Sequence, residues 1–263
     1  MEYKPVTCAS LINTITKKDT LFAGNYTVDP YQQCEFGCRY CDSSTDETIY
    51  IKSNAVHVFE KEIEKLPHGV IIVGSVHDPY QKAERSYQIT RNLLRIIQKH
   101  KFPCHILTKS DLVLRDLDIL SKMDRCLVTL SITTLDNAVS NIFEKNVPSP
   151  EKRLRTMKSI SEKGIKAGIA ITPVLPYFVE TELEEIVNSA SLHKAWYIVH
   201  KHLELKGDQK RAFLKIIEEH YPHLLSKYKA LYGDGYTPNK HYSAELNSKI
   251  NDYCTKYGLK SKI

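Results

Sequence analysis

Apolar residues along this chain follow two different spacings. Short β-branched and apolar runs, such as G-V-I-I-V-G at 69–74, are typical of buried strands. Longer stretches place apolar residues three and four positions apart, as Ile89, Leu93 and Ile96 do within 84–100, and predict amphipathic helices. Strands are predicted at 26–28, 69–74, 104–109, 126–133, 167–173 and 195–200, and helices at 84–100, 111–123, 151–163 and 180–191.

The alternation of six strands with helices predicts an α/β fold with right-handed crossovers and a parallel sheet. Six such units fit either an open doubly wound sheet or an incomplete TIM-like barrel. In both folds, active-site residues lie in loops at the carboxyl ends of the strands. From about residue 208 the strands stop, and helices are predicted over 209–231 and 241–257. We expect a barrel unit with an N-terminal lead-in over 1–207 and a helical extension over 208–263 packed on it.

Charge and hydropathy narrow the class of protein. The net charge of +6 is compatible with an anionic partner, but solvated helix faces produce the same excess. No apolar run approaches the roughly 20 residues that span a bilayer, and M-E-Y-K-P-V-T-C lacks the apolar core of a signal peptide. We expect a cytoplasmic protein with no membrane partner. The basic residues form two runs, namely Arg153, Arg155, Lys158, Lys163 and Lys166, and Lys240, Lys249 and Lys256.

Three cysteines crowd into C-E-F-G-C-R-Y-C at 34–41, directly after the first predicted strand. The chain has seven cysteines, an odd number, and in a reducing compartment such a cluster indicates metal or redox chemistry rather than crosslinking. Structural zinc would require a remote fourth ligand, whereas zinc sites usually combine two short cysteine pairs. A [4Fe–4S] cluster normally takes four thiolates, so three would leave one iron open to a ligand.

The spacing C-x3-C-x-aromatic-C resembles the signature of radical S-adenosylmethionine (radical SAM) enzymes. The resemblance implies that Cys34, Cys38 and Cys41 hold a [4Fe–4S] cluster whose open iron is chelated by the amine and carboxylate of S-adenosyl-L-methionine. One-electron reduction would then cleave the sulfonium and give a 5′-deoxyadenosyl radical that abstracts hydrogen from a substrate. In such enzymes the missing fourth ligand is the cosubstrate.

Further segments resemble the branch related to spore photoproduct lyase, also described as DNA-repair-photolyase-like. The resemblance covers about residues 24–190 and implies a partial (β/α)6 barrel with a C-terminal helical extension. The segments are T-V-D-P-Y-Q-Q-C-E-F-G-C-R-Y-C-D-S-S, S-V-H-D-P-Y-Q-K-A-E-R, L-T-K-S-D-L-V-L-R-D-L-D-I-L, S-I-T-T-L-D and A-G-I-A-I-T-P-V-L-P.

The same resemblance implies a set of S-adenosylmethionine contacts at strand ends. Lys109 would pair with the methionyl carboxylate, although an exposed lysine at a strand end is also ordinary. Tyr40 would lean on the nucleoside and is a candidate hydrogen or electron relay. Asp78 before Pro79 is equally typical of a turn. The implied contacts are Tyr40, Gly74, Ser75, Asp78, Lys109, Ser131, Ile171 and Pro173.

One departure from the branch affects the substrate. Spore photoproduct lyases carry a hydrogen-donating cysteine after the second strand, where this chain has V-G-S-V-H-D. A nucleic-acid lesion lyase is the leading interpretation, with radical modification of a peptide or small metabolite as the alternative. A non-enzymatic iron–sulfur or zinc regulatory module is the third. The expected partners are a reducing protein such as a flavodoxin or ferredoxin and one of these substrates, and the enzyme is expected to be a monomer.

Overall fold

The main sheet of the molecule is built from parallel strands. A computed structural model describes residues 1–42 and 47–263, so Ser43 and Ser44 of the cysteine segment lie outside the described residues. The strands in the described part are β1 (Glu2–Val6), β2 (Ile12–Thr14), β3 (Tyr26–Val28), β4 (Tyr31–Gln32), β5 (Thr48–Lys52), β6 (Ile71–Val73), β7 (Cys104–Thr108), β8 (Cys126–Ser131), β9 (Lys166–Val174) and β10 (Tyr197–His202).

Seven of these strands form one sheet in the order β10-β9-β8-β7-β6-β3-β2. The six from β3 to β10 run parallel, and β2 is added antiparallel to β3 at the edge. Because β10 and β2 end the order without pairing to each other, the barrel is open. The predicted partial (β/α)6 barrel and its six parallel strands are confirmed.

Helices follow most of the parallel strands. Most residues of strand β9 are buried, as expected where helices cover a parallel sheet, and α6 packs against β8 and β9. The helices are α1 (Ala55–Ile63), α2 (Glu84–Tyr87), α3 (Ile89–Lys99), α4 (Leu117–Leu120), α5 (Asn137–Phe143), α6 (Pro150–Glu162), α7 (Val179–Leu192), α8 (Gly207–His220), α9 (Pro222–Tyr232) and α10 (Lys240–Lys256).

Three predicted helices differ from the structure. The helix over 84–100 is interrupted at Gln88, whose φ is +49°. The helix over 111–123 is a 3₁₀ turn over Asp111–Asp116 followed by the short α4. The helix over 209–231 is split between α8 and α9 at Tyr221, because the proline that follows disfavours helical geometry at this position.

The N-terminal part forms a small sheet that sequence periodicity did not predict. Its order is β1-β5-β4, with β1 parallel and β4 antiparallel to β5. Strand β4 leads directly into the cysteine loop, defined here as residues 34–41, so this sheet fixes the start of that loop. Helices α1 and α5 were also not predicted.

A series of hydrogen bonds between buried polar side chains crosses the interior between three strands. The hydroxyl of Tyr197 donates to Thr129 Oγ1, which in turn donates to His105 Nε2 at 2.6 Å. The other ring nitrogen of His105, Nδ1, lies 3.1 Å from the carbonyl oxygen of Phe22 and therefore carries the proton. These hydrogen bonds connect β10, β8 and β7 to the segment that precedes β3.

Within residues 1–42 and 47–263, no helix combines the length and the apolar character needed to cross a membrane.

Candidate active site

A cavity of about 410 Å³ opens at the carboxyl ends of the parallel strands. Ile171 is the predicted site residue that does not line this cavity, because its side chain is fully buried in the hydrophobic core. The predicted residues that do line it are Cys34, Cys38, Tyr40, Cys41, Gly74, Ser75, Asp78, Lys109, Ser131 and Pro173. Residues from five different segments therefore meet at one place.

The cysteine loop is held at its start by Glu35. Its carboxylate accepts hydrogen bonds from the backbone nitrogens of Lys82 and Ala83, both at 3.0 Å. Its own backbone nitrogen donates to Gln81 Oε1 at 2.9 Å. Glu35 is only 2% exposed, so these bonds replace the water that the carboxylate gives up. The loop is thereby fixed to the segment that begins α2.

The middle of the cysteine loop turns at Gly37. Its φ of +59° lies in the left-handed region, which glycine adopts without strain. Asn146 Nδ2 donates to the carbonyl of Glu35 at 3.2 Å, and the backbone nitrogen of Arg39 donates to the carbonyl of Phe143 at 2.9 Å. The end of α5 and the residues after it therefore support the loop from one side.

The three thiols face the cavity from a largely apolar setting. Burial raises the pKa of both Cys34 and Cys38 to about 12, and Cys41 is half-buried. Among residues 1–42 and 47–263, no group of three or more His, Cys, Asp or Glu side chains converges on a single ion position. A cubane cluster does not require such convergence, because each thiolate binds a different iron at a separate corner. Three thiols that line one cavity are the type of donor that such a cluster takes.

The loop after β6 approaches the cavity through Gly74. Its φ is +88°, and a Cβ atom placed on it would lie 2.3 Å from Pro79 Cδ and 2.7 Å from the carbonyl oxygen of Leu107. No side chain fits at this position. The backbone of the loop can therefore run close to β7 and to whatever occupies the cavity.

Ser75 is held by an aspartate that sequence reasoning did not single out. Asp29, at the end of β3, accepts from Ser75 Oγ at 2.9 Å and from the backbone nitrogens of Val76 and His77 at 3.0 and 3.1 Å. Asp29 belongs to the V-D-P segment that precedes the cysteines. Its position directly after a strand was the available signal.

Asp78 has its hydrogen-bonding capacity used within the protein. Oδ1 accepts from the Tyr80 backbone nitrogen at 2.9 Å and from Thr108 Oγ1 at 2.7 Å, and Oδ2 accepts from the Lys109 backbone nitrogen at 2.7 Å. Burial raises the pKa of Asp78, although these donors oppose the rise. Asp78 links the loop after β6 to the end of β7, which is the turn role weighed above.

Lys109 extends from the end of β7 to the end of β8. Its Nζ donates to Ser131 Oγ at 2.9 Å, and Ser131 Oγ donates to the carbonyl of Thr172 at 3.2 Å. Burial alone would lower the pKa of Lys109, but Cys38 and Glu144 outweigh this effect, and the pKa is raised. The ammonium is therefore charged where it lines the cavity.

Tyr40 lies beneath this lysine with its hydroxyl pointing inward. Lys109 Nζ lies 5.8 Å from the centre of the Tyr40 ring. The Tyr40 hydroxyl donates to Glu144 Oε1, and Glu144 Oε2 accepts from Arg153 Nη2 at 2.6 Å. Burial and the nearby charges of Cys38 and Glu144 raise the pKa of Tyr40 well above its usual value.

Arg153 differs from the exposed basic run in which the sequence placed it. Its side chain is fully buried, and Nη1 also donates to the carbonyl of Ser131 at 2.7 Å. Burial raises the pKa of Glu144, but the cations of Arg153 and Lys109 outweigh it and hold this pKa below its usual range. The expectation of a solvated charge was therefore wrong for Arg153. Glu84, the first residue of α2, is likewise buried and pairs with Arg115.

The far wall of the cavity comes from residues that the sequence analysis did not assign. They end β10, follow it or begin α8, so the C-terminal extension contributes to the site. A strand-end position after β10 was a usable signal for the first of them. The residues are Lys201, His202, Leu203, Glu204, Lys206 and Gln209, together with Leu21 and Phe22 from the segment before β3.

Comparison with protein families and curated sequences gives one consistent picture. The family model of the radical SAM superfamily matches residues 28–190. An uncharacterized protein of Methanocaldococcus jannaschii is 30% identical over 207 residues, covering 75% of this chain and 76% of that protein. An uncharacterized protein of Mycobacterium tuberculosis is 25% identical over 278 residues, covering 98% of this chain and 81% of that protein.

Solved structures give the same fold at low sequence identity. A cysteine-to-serine variant of spore photoproduct lyase superposes with a TM-score of 0.75 at 18% identity, covering 97% of this chain and 79% of that one. Streptococcus suis SuiB bound to S-adenosylmethionine superposes with a TM-score of 0.60 at 17% identity, covering 89% of this chain and 49% of that one. At such identities the likeness is one of fold.

Proposed function

Because the chain belongs to the radical SAM superfamily, we propose that it is an enzyme that uses a [4Fe–4S] cluster and S-adenosyl-L-methionine in the cavity described above. The observation that carries the proposal is that Cys34, Cys38 and Cys41 line the same cavity as Lys109 and Ser131. When bound, the cluster and S-adenosylmethionine supply a one-electron cleavage that gives a 5′-deoxyadenosyl radical for hydrogen abstraction.

The protein's own residues have separable roles in this proposal. Cys34, Cys38 and Cys41 would hold the cluster, and three thiolates would leave it one position open to S-adenosylmethionine. The Lys109 ammonium pairs with that carboxylate, since it is charged and its side chain is 15% exposed. Gly74 lets the loop backbone approach the methionyl end. We assign Ser131 to orienting Lys109, and Tyr40 to a wall of the site beside the cluster.

We propose two candidate classes of substrate. A spore photoproduct lyase with the same fold is complexed with a dinucleoside spore photoproduct, and SuiB is bound to a precursor peptide. Among the described residues, no cysteine besides the three of the loop lines the cavity. Lesion lysis by this chain would therefore require a hydrogen donor other than a thiol at the position after β6. A nucleic-acid lesion remains the first candidate and a peptide the second.

The test begins with the cofactors, because they are common to both substrates. We would reconstitute the protein anaerobically with iron and sulfide, reduce it with dithionite, add S-adenosylmethionine and measure 5′-deoxyadenosine. The expected result is product from the wild type and from Cys254→Ala, a buried cysteine in α10, but not from Cys38→Ala. Dithionite stands in for the flavodoxin or ferredoxin proposed as physiological donor.

Two results would contradict the proposal. One is a wild-type protein that binds about four irons per chain but shows neither 5′-deoxyadenosine nor any change in the EPR spectrum of its reduced cluster with S-adenosylmethionine. The other is Cys38→Ala retaining the same iron content and activity as Cys254→Ala. Zinc bound to the wild type and to both variants would instead favour the non-enzymatic zinc module considered in the sequence analysis.

A further inference from the structure

Glu144 is shared unequally by two cations, of which one, Lys109, lines the cavity. Arg153 Nη2 lies 2.6 Å from Glu144 Oε2, a direct ion pair with both side chains essentially buried. Lys109 Nζ lies 4.0 Å from Glu144 Oε1, at the outer limit of an ion pair. Glu144 Oε1 already accepts a hydrogen bond from the hydroxyl of Tyr40. The carboxylate is therefore committed mainly to Arg153 and Tyr40.

The consequence for Lys109 is an ammonium without a close anionic partner. Its hydrogen bond goes to a neutral hydroxyl, Ser131 Oγ, at 2.9 Å. The other carboxylate of this region, Asp78, accepts from three donors, of which one is the backbone nitrogen of Lys109 and none is its ammonium. Two cations share one nearby carboxylate, and of the three groups Lys109 is the one that lines the cavity.

We propose that Arg153 and Glu144 are positioning residues that set the affinity of Lys109 for the carboxylate of S-adenosylmethionine. Arg153 holds Glu144 away from Lys109, so the ammonium is available to an incoming anion. This inference rests on the proposed function, because it takes the methionyl carboxylate as the anion. Arg153 and Glu144 act only through Lys109 and Tyr40 and do not line the cavity themselves.

Removal of each partner has an opposite effect under this proposal. In Arg153→Met the carboxylate loses its direct partner and is free to pair with Lys109, so S-adenosylmethionine must displace an internal anion. In Glu144→Gln no internal anion competes, and affinity is kept or increased. In the double variant Glu144→Gln/Arg153→Met both charges are gone, and Lys109 is again available. A merely structural role predicts instead that both single variants weaken binding and that the double variant is worst.

The experiment is equilibrium dialysis of S-adenosylmethionine with the reconstituted, unreduced protein, so that no turnover occurs. We expect Arg153→Met to bind about tenfold more weakly, Glu144→Gln no more weakly than wild type, and the double variant to return to within about threefold of wild type. 5′-Methylthioadenosine, which has the nucleoside but no carboxylate, should bind Arg153→Met and wild type alike. Circular dichroism establishes that each variant is folded.

The outcomes separate this inference from the proposed function. A wild type with a full cluster that binds no S-adenosylmethionine overturns both. A wild type that binds it while Glu144→Gln binds tenfold more weakly overturns the inference alone, and this result decides even if Arg153→Met does not fold. Equal weakening of both ligands by Arg153→Met also overturns it, because the loss would then not depend on the carboxylate.

Discussion

The side-chain amide of Gln209 donates a hydrogen bond to the backbone carbonyl of Tyr40, which joins the first turn of α8 to the cysteine loop. The two residues are 169 positions apart in the chain. The same helix also packs Phe213 against Phe143 with the rings stacked at 5.6 Å. The C-terminal extension therefore supports the loop directly rather than lying apart from the site.

Removal of this amide should loosen the loop more than it destabilises the fold. We expect Gln209→Leu to lower the free energy of unfolding by about 1 kcal/mol, the net value of one hydrogen bond. Iron release to a chelator after reconstitution should become several-fold faster. Arg211→Ala is the matched control, because its side chain on the same helix is 82% exposed. Equal release rates for both variants would show that the Gln209 contact does not hold the loop.

Gly74 should tolerate a methyl group far less well than another glycine with similar backbone angles. Gly164 has a φ of +78° and open space around its Cβ position, so Gly164→Ala should cost about 1–2 kcal/mol from backbone conformation alone. Gly74→Ala adds a collision with Pro79 and should cost at least about 3 kcal/mol in total. Urea unfolding of the two variants provides the comparison. Similar losses of unfolding free energy in the two variants would mean that the backbone around Gly74 moves to avoid the collision.

Asp78 should stabilise the junction between the β6 loop and β7. Asp78→Asn keeps the shape but replaces one acceptor oxygen by a donor, which then faces a backbone N–H or a hydroxyl that also donates. We expect a loss of about 2 kcal/mol in the free energy of unfolding. Asp252→Asn, at an exposed position of α10, serves as the control and should change stability by less than about 0.5 kcal/mol. Unchanged stability in Asp78→Asn would show that the charge of the carboxylate does not stabilise this junction.

His105 should make stability depend on pH. Burial lowers its pKa to about 4, whereas in the unfolded chain the value is about 6.5. Between these values the unfolded chain binds a proton that the native protein does not, so stability is full above about 6.5 and is lost as pH falls towards 4. This residue should account for a loss of about 2 kcal/mol between pH 7 and pH 5.

The measurement for His105 is urea unfolding at both pH values. His105→Gln should remove most of the pH-dependent loss, because glutamine can still accept from Thr129 and donate to Phe22 without titrating. His241→Gln is the control, since that histidine is 91% exposed and should leave the pH dependence as in the wild type. An unchanged pH dependence in His105→Gln would assign the loss to other groups.

Much of the barrel could be predicted from the sequence because parallel strands are buried on both faces. The apolar runs that became β6 to β10 are of this kind, and strand ends located the loops that carry Lys109 and Ser131. Strands β1, β4 and β5 lack this pattern, since β1 is largely exposed and β4 has two residues. Their pairing depends on long-range contacts that a local pattern does not contain.

The site itself was less predictable where charges are buried. Arg153 looked like a member of an exposed basic run, but it lies four residues before Met157 and seven before Ile160, on the apolar face of α6. The helical spacing of Arg153 from these apolar residues was therefore a signal that its side chain faces the core. Its partner Glu144 follows the end of α5, which was not predicted, so no periodicity could show that the two would meet. Ile171 precedes the two residues of β9 that line the cavity, Thr172 and Pro173, and is itself fully buried.

The supports of the cysteine loop also determine when the loop can form. Asn146 reaches Glu35 across 111 positions and Gln209 reaches Tyr40 across 169, so contacts of high sequence separation close the structure around these thiols. Such contacts form late, because long stretches of chain must be ordered first. During synthesis the cysteines emerge before Asn146 and Gln209, the residues that hold the loop. Under the proposed function, delivery of iron to these thiols is therefore expected only after translation has passed α8.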